Sequence, residues 1–414
     1  MKTVTLSKNR LFFGFLILGY LFGVFLYDLL GFTYTDELMA LFLVFFLIKA
    51  WTERRVYFMW SHLAVLAGYF LFQTLYSLAI GSNVPQAILM DGVIQMKPFL
   101  GFYGAFILMP MLTRADKRAL TILTLVAAGV LLIIGLTGNI RPFFGHPSRF
   151  ATAATITAVL YLYCSSFSWA DSLVFIAILA IGFFSTRTKF YGFFALAAAL
   201  VVAVQFGYRF RVSLPGVLFI VSVLLMVLYV AWPKIELYYF YGALRSESMW
   251  ARPTLYLTAA SILTDYVPFG SGWASFATFT SGLYYSDLYA HYSIDKIWGL
   301  SREMPDYISD TYYPALAQVG FFGIALFSLF WYAVIRRLKN YRSILSATLK
   351  DYFIVVLTIL FFAIESTSDS TFTHNRGLMM MIIMGLCMAN IRTAHEDLSA
   401  ETQTMQCHEN NCAE

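Results

Sequence analysis

Stretches of about 20 mostly apolar residues, each long enough to cross the hydrocarbon core of a bilayer as a helix, follow one another along nearly the whole chain. They fall roughly at 11–30, 36–52, 57–80, 87–112, 119–137, 150–168, 172–186, 190–208, 213–232, 314–335, 350–365 and 377–393. The pattern predicts an all-α, polytopic membrane protein with about twelve transmembrane helices. Composition agrees. Only 12% of the residues are charged, about half the usual share of a soluble domain, so a water-facing surface cannot be built from them. Phe, at 40 residues, suits lipid-facing flanks, while the 27 Tyr suit the headgroup level.

The start of the chain, basic from Lys2 to Arg10 and then apolar from Leu11 to Leu30, has the look of a secretory signal. The apolar run is too long for one, and no small-residue cleavage site follows, so it reads as a retained first span. Short loops rich in Lys and Arg mark the cytoplasmic side. With the N-terminus inside, that side holds Lys2, Lys8 and Arg10; Arg54 and Arg55; Arg114, Lys117 and Arg118; Arg209 and Arg211; and Arg336, Arg337, Lys339, Arg342 and Lys350. An even number of spans brings the C-terminus inside as well. The expected layout is a membrane domain over 1–232, an outer (periplasmic) cap over 233–313, a second membrane block over 314–393 and a disordered cytoplasmic tail over 394–414. The cap is too short for an independent core of its own.

A net charge of +5 without a basic run points away from nucleic acid. Four scattered cysteines imply no disulfide framework. Soluble-enzyme motifs for nucleotides, zinc or a nucleophilic serine are missing, and no metal or other cofactor is implied.

The outer loops break the charge rule. Arg141 and Arg149 flank one, Arg187 and Lys189 fill another, and Arg376 lies in a third. Two readings fit: an anion held at the outer face, or snorkelling to lipid phosphates. Arg187 stands in Ser185-Thr186-Arg187-Thr188-Lys189. Arg252 opens an amphipathic segment, where a cation opposes the helix dipole and so does not serve the helix. Asp310 precedes span ten and would suit a general base, or else a partner for an arginine. His291 reads as a surface histidine. Asp91 and Lys97, six residues apart, do not share a helix face, and each should face the bundle interior or a wet cavity. Lys97, next to Pro98 at an expected kink, would line a route for an anionic headgroup. Glu365, Asp369 and Arg376 form a further polar cluster.

Taken in order, several elements resemble the O-antigen polymerase (Wzy) branch of the O-antigen polymerase and ligase superfamily. They are Arg141-Pro-Phe-Phe-Gly-His-Pro-Ser-Arg149, Ser185-Thr-Arg187-Thr, Arg252 followed by Gly270-Ser-Gly272, Asp310-Thr-Tyr-Tyr313, and Gln318-Val-Gly320-Phe-Phe-Gly323. The ligase branch carries a His-Asn pair where Ser309 and Asp310 stand here. The resemblance implies a glycosyltransferase of the bacterial inner membrane. It would transfer a growing undecaprenyl-pyrophosphate-linked glycan onto a lipid-linked repeat unit at the periplasmic face. Arg187, Arg252 and Asp310 would be catalytic. Arg141, Arg149, Lys189, Lys97, Tyr313 and Arg376 would bind substrate. Partners would be the lipid-linked oligosaccharides, membrane lipids and a chain-length regulator. An O-antigen ligase and a glycolipid flippase stay open as alternatives.

Overall fold

The computed structural model describes residues 8–31, 35–52, 60–207, 250–341 and 345–411, with isolated positions between 218 and 237. The expected ninth span, Arg54, Arg55, Arg209, Arg211 and the first part of the cap fall largely or wholly outside the described residues. Among those described, the chain is helical and has no strand.

The elements are α1 (Lys8–Leu18, extended by π-helical turns over Gly19–Phe25), α2 (Tyr27–Leu30), α3 (Thr35–Thr52), α4 (Trp60–Ile80), α5 (Pro85–Leu108), α6 (Arg114–Leu136), α7 (Ile140–Phe144), α8 (Pro147–Cys164), α9 (Trp169–Ala180) and α10 (Thr188–Gln205). After these come α11 (Ala251–Asp265), α12 (Phe279–Leu283), α13 (Leu288–His291), α14 (Gly320–Asn340), α15 (Leu345–Glu365) and α16 (Asn375–Asn411). Among the described residues, six helices are long and apolar enough to cross a membrane: Ser61–Ile80, Arg114–Leu136, Thr188–Gln205, Tyr313–Asn340, Ala347–Glu365 and Asn375–Leu398. Their outward faces carry exposed apolar side chains such as Val65, Leu71, Ile133 and Leu329, which suit a hydrocarbon solvent. The protein is therefore all-α and multi-pass in kind.

The helices alternate between two ends. At one, Asn9 accepts from the Met111 amide, Gln205 donates to the Phe167 carbonyl, and Lys350 donates to the carbonyls of Tyr163 and Ser165. Helices α6 and α9 start there behind capping boxes, Thr113 with Asp116 and Ser168 with Asp171, each satisfying backbone donors that a helix start leaves open. At the other end lie Asp28, Arg149, Arg187, Lys189, Glu365 and Arg376, which the next subsection takes up.

Helix α16 runs through the middle, with Met379 to Met384 fully buried. It lies close to α5 because two glycines allow it. A Cβ on Gly101 would overlap Leu378, and one on Gly385 would overlap the Phe102 backbone. Small residues at a crossing let helices approach and gain dispersion contacts where lipid removes most of the hydrophobic drive. Pro98 sits inside α5, which continues as one helix through it.

Two expectations need correction. Residues 394–411, expected to be disordered, continue α16; Ala, Glu, Gln, Met and Leu in that stretch are good helix formers. The cap does have a small core of its own. Leu255, Ile262, Phe276, Tyr289, Leu300 and Ile308 pack together and are buried, and α11 supplies the first two from one face, as its periodicity predicts.

The cap is fastened to the bundle by its glycines. Gly270 and Gly320 sit back to back at positive φ, and a Cβ on either would overlap the other's backbone. The Gly272 amide donates to the Gln318 carbonyl at 2.9 Å, and the Phe322 amide to the Pro268 carbonyl at 3.1 Å. Gln73 of α4 donates to the carbonyls of Phe269 and Gln318, and buried Asp91 of α5 accepts from the Ala274 amide. The two glycine motifs that the sequence presents 50 residues apart thus form one joint.

Candidate functional site

One end of the bundle gathers charge from six segments. The first group is built on Asp28, in the short helix α2. Arg149 of α8 donates to it at 2.7 Å and Arg376 of α16 at 2.5 Å. Arg376 also donates to the Val24 carbonyl and lies against the Phe144 ring, and Asn375 caps the Gly23 carbonyl beside it. The second group is Lys189, on the first turn of α10, which sits 2.8 Å from Glu365 and 3.3 Å from Asp369. The third is Arg252, on the first turn of α11, paired with Asp310. The fourth is Arg187, just before α10. Its Nη2 contacts His146 Nε2 at 2.8 Å, and its Nε is buried without a hydrogen-bond partner.

These groups share one field. Asp369 and Lys189 act electrostatically on both His146 and Asp310. The cap reaches the α15–α16 loop directly. Tyr256 donates to the Thr367 carbonyl, Ser370 to the Ser309 carbonyl, and the Tyr312 amide to the Ser366 carbonyl. Arg252 and Asp310 are therefore held against the bundle.

Charge counting then separates the cations. Arg149 and Arg376 share Asp28, and Lys189 faces two carboxylates. Arg252 has Asp310. Among the described residues, Arg187 faces an imidazole and no carboxylate. A guanidinium has donors alone, so His146 Nε2 accepts from Arg187, while the Ser148 amide lies 3.3 Å from Nδ1 where the ring caps α8. Burial, and next the Arg187 charge, push the His146 pKa down to about 4, so the ring is neutral at pH 7 and adds no charge of its own. Burial pushes His374 down to about 4 as well. Burial raises Asp310 above its ordinary value, against the pull of Arg252. For Asp369 burial works upward, but Lys189 and His374 outweigh it and hold the carboxyl below the usual range. Among the described residues, the same end of the bundle thus holds a guanidinium with donors to spare, Arg187, and a carboxylate whose basicity is raised, Asp310.

The sequence expectations are sorted as follows. Arg187, Arg252, Asp310, Arg149, Lys189 and Arg376 come together. Lys189 and Arg376 do so as members of buried ion pairs, so they stiffen the site instead of offering charge to a ligand. Arg376 pairs with Asp28, not with the Glu365 and Asp369 of its own neighbourhood. Arg141 is exposed on α7. Lys97 is buried, 3% exposed, and paired with Glu37 at 2.9 Å, which does not suit a headgroup route. Tyr313 turns to the Ala363 carbonyl of α15. The sequence reading missed His146 and Asp28. His146 stood in plain view in the Gly-His-Pro-Ser run, and Asp28 is a lone acid closing the first span. Among the described residues no group of His, Cys, Asp and Glu has the geometry to hold a metal ion.

Comparison with protein-family models, with curated proteins and with solved structures finds no match to this chain.

Proposed function

We propose that this protein is a membrane glycosyltransferase that polymerises lipid-linked oligosaccharides, with the charged end of the bundle as its active site. The observation that carries the reading is Arg187, a guanidinium without a carboxylate partner among the described residues, at the same end of the bundle as the Arg252–Asp310 pair and sharing with it the field of Lys189 and Asp369. In this reading a hydroxyl of the lipid-linked acceptor attacks the anomeric carbon of the growing chain. Its proton passes to Asp310, whose raised basicity fits that task. The bond to the undecaprenyl pyrophosphate breaks, and the departing diphosphate takes the electron pair. Arg187 meets that charge with fixed donors, and Arg252 holds Asp310 in place. Neutral His146 keeps the guanidinium aimed without competing for the anion.

The reading carries further proposals. The chain makes about twelve passes, the ninth being 213–232. The charged end is periplasmic and the membrane is the bacterial inner one. The opposite end carries Arg114, Lys117, Arg118, Arg336, Arg337 and Lys350 and is cytoplasmic by the positive-inside bias. Both termini then lie inside. A chain-length regulator is the expected protein partner, and nucleic acid is not.

The test is the surface glycan of cells carrying Arg187→Ala in place of the wild type. The reading expects lipopolysaccharide with a single repeat and no ladder. Arg187→Lys should not restore it, since a point charge lacks the bidentate fork. Polymer left on the carrier would indicate a ligase, repeats held on the cytoplasmic side a flippase, and an unchanged ladder would end the proposal.

A further inference from the structure

A cavity of about 440 Å³ lies between α4, α5 and α14, away from the charged groups just described. Its walls are apolar, with Leu66, Phe99, Phe327 and Phe330 among them. It extends along α14 from Gly323 to Arg336, about 20 Å at the helical rise and shorter than the hydrocarbon core of a bilayer, about 30 Å. Its rim is open sideways. Val65, Leu329 and Tyr332 line it and are 64%, 55% and 57% exposed. Both flanking helices, α4 and α14, are among those apolar enough to cross a membrane, so the opening faces lipid.

The roof is different in kind. It is built by the cap joint, with Trp273, Tyr312 and Gln318. Trp273 is 2% exposed and stacks on Phe70 at 5.5 Å, yet its Nε1 has no hydrogen-bond partner. Gln318 is 1% exposed and its Oε1 has none either. The hydroxyl of Tyr69, on the same lining, is likewise buried and unpaired. Three orphaned polar atoms on one cavity wall are unusual, because leaving a buried donor or acceptor unpaired is costly. They comprise a donor, an acceptor and a hydroxyl, and the roof residues carry no charge; Arg336 and His62 lie at the opposite end of the cavity.

We propose that this groove binds a hydroxyl-bearing lipid drawn sideways from the bilayer. Its hydrocarbon chain lies along Leu66, Phe99, Phe327 and Phe330. Its hydroxyl sits under the roof, accepting from Trp273 Nε1–H and donating to Gln318 Oε1, with Tyr69 alongside. A free anion is disfavoured by the uncharged roof, and a plain hydrocarbon would leave the three polar atoms unpaired. The inference stands on the groove alone and does not rest on the transferase reading.

The experiment uses the full chain in lipid nanodiscs and two photoactivatable probes, a long-chain primary alcohol carrying a diazirine and the matching alkane. Crosslinks are mapped by peptide mass spectrometry. The alcohol is expected to label the α4 and α14 segments around Val65 and Leu329 in preference to the alkane. Trp273→Phe should weaken the alcohol's half-saturation about fivefold, as for one lost hydrogen bond, and leave the alkane unchanged. Leu66→Trp, which fills the groove from a partly buried wall position, should remove labelling there by both probes while the protein still elutes as a folded species. Equal labelling by alcohol and alkane, or labelling spread evenly over lipid-facing residues of α6, would overturn the proposal.

Discussion

The two ends of the bundle use charge in opposite ways. At the end with Lys350, polar side chains satisfy backbone. Lys350 bonds two carbonyls at the close of α8, and the Thr113 and Ser168 boxes satisfy helix starts. The capping boxes are local and Lys350 reaches across 185 and 187 positions, but every partner is a backbone group that water could satisfy at an exposed end. At the Arg187 end, charges bind one another across long stretches of chain. Arg376 meets Asp28 over 348 positions, and Lys189 meets Asp369 over 180. Those groups are mostly buried, so they cost desolvation that water would have spared. A fold needs the first kind of contact to exist; it does not need the second. On the proposed reading, an end that holds several buried ion pairs around a guanidinium with no carboxylate partner among the described residues is arranged for a ligand.

That contrast can be broken by mutation. The largest expected effect is Lys189→Ala, which leaves Glu365 and Asp369 facing each other with their cation gone. Removing one partner of a buried pair costs about 3–5 kcal/mol, and thermal unfolding in detergent should show a large drop in midpoint. Lys189→Ala together with Glu365→Gln should recover part of it. Next is the cap joint. Gly320→Ala forces a Cβ against the Gly270 backbone at a positive φ, and overpacking costs about 1–3 kcal/mol. Limited proteolysis should then cut the cap earlier than the bundle. Similar in size is Lys350→Ala, where about 1.5–3 kcal/mol goes with the charge-assisted bonds while glycan transfer per folded molecule stays near wild type.

The contrast also predicts a pH effect. His146 and His374 titrate near 6.5 when unfolded but near 4 when folded. The unfolded chain binds more protons between those values, so stability is full above pH 6.5 and falls as the pH drops toward 4. His146→Gln should flatten that part of the curve. An unaltered slope would mean that the ring is not held neutral by its surroundings.

Much of the fold could be read from the sequence because it depends on local pattern. Apolar length marks α4, α6, α10, α14, α15 and the first part of α16, and the period of Leu255, Ala259 and Ile262 marks the cap helix. Most of the charged residues that the sequence singles out also gather at one end of the bundle. Their roles were not legible in the sequence. Lys189 reads as an anion holder until Glu365 and Asp369 arrive beside it, and Lys97 reads as a substrate guide until Glu37 covers it. Such cancellation depends on residues tens to hundreds of positions away, and spacing along the chain carries no trace of it. His146 escaped for the same reason, because a lone histidine says nothing until the arginine it faces is known.

The most direct measurement is turnover of purified lipid-linked repeat units by reconstituted protein, with Arg187→Ala and Lys350→Ala run side by side. The account predicts a loss of about 10²–10³ in rate for Arg187→Ala, as when a donor to developing negative charge is removed, with folding and substrate-free stability little changed. Lys350→Ala should turn over almost as the wild type does. Equal rates for Arg187→Ala and wild type, or equal losses for both variants, would contradict it.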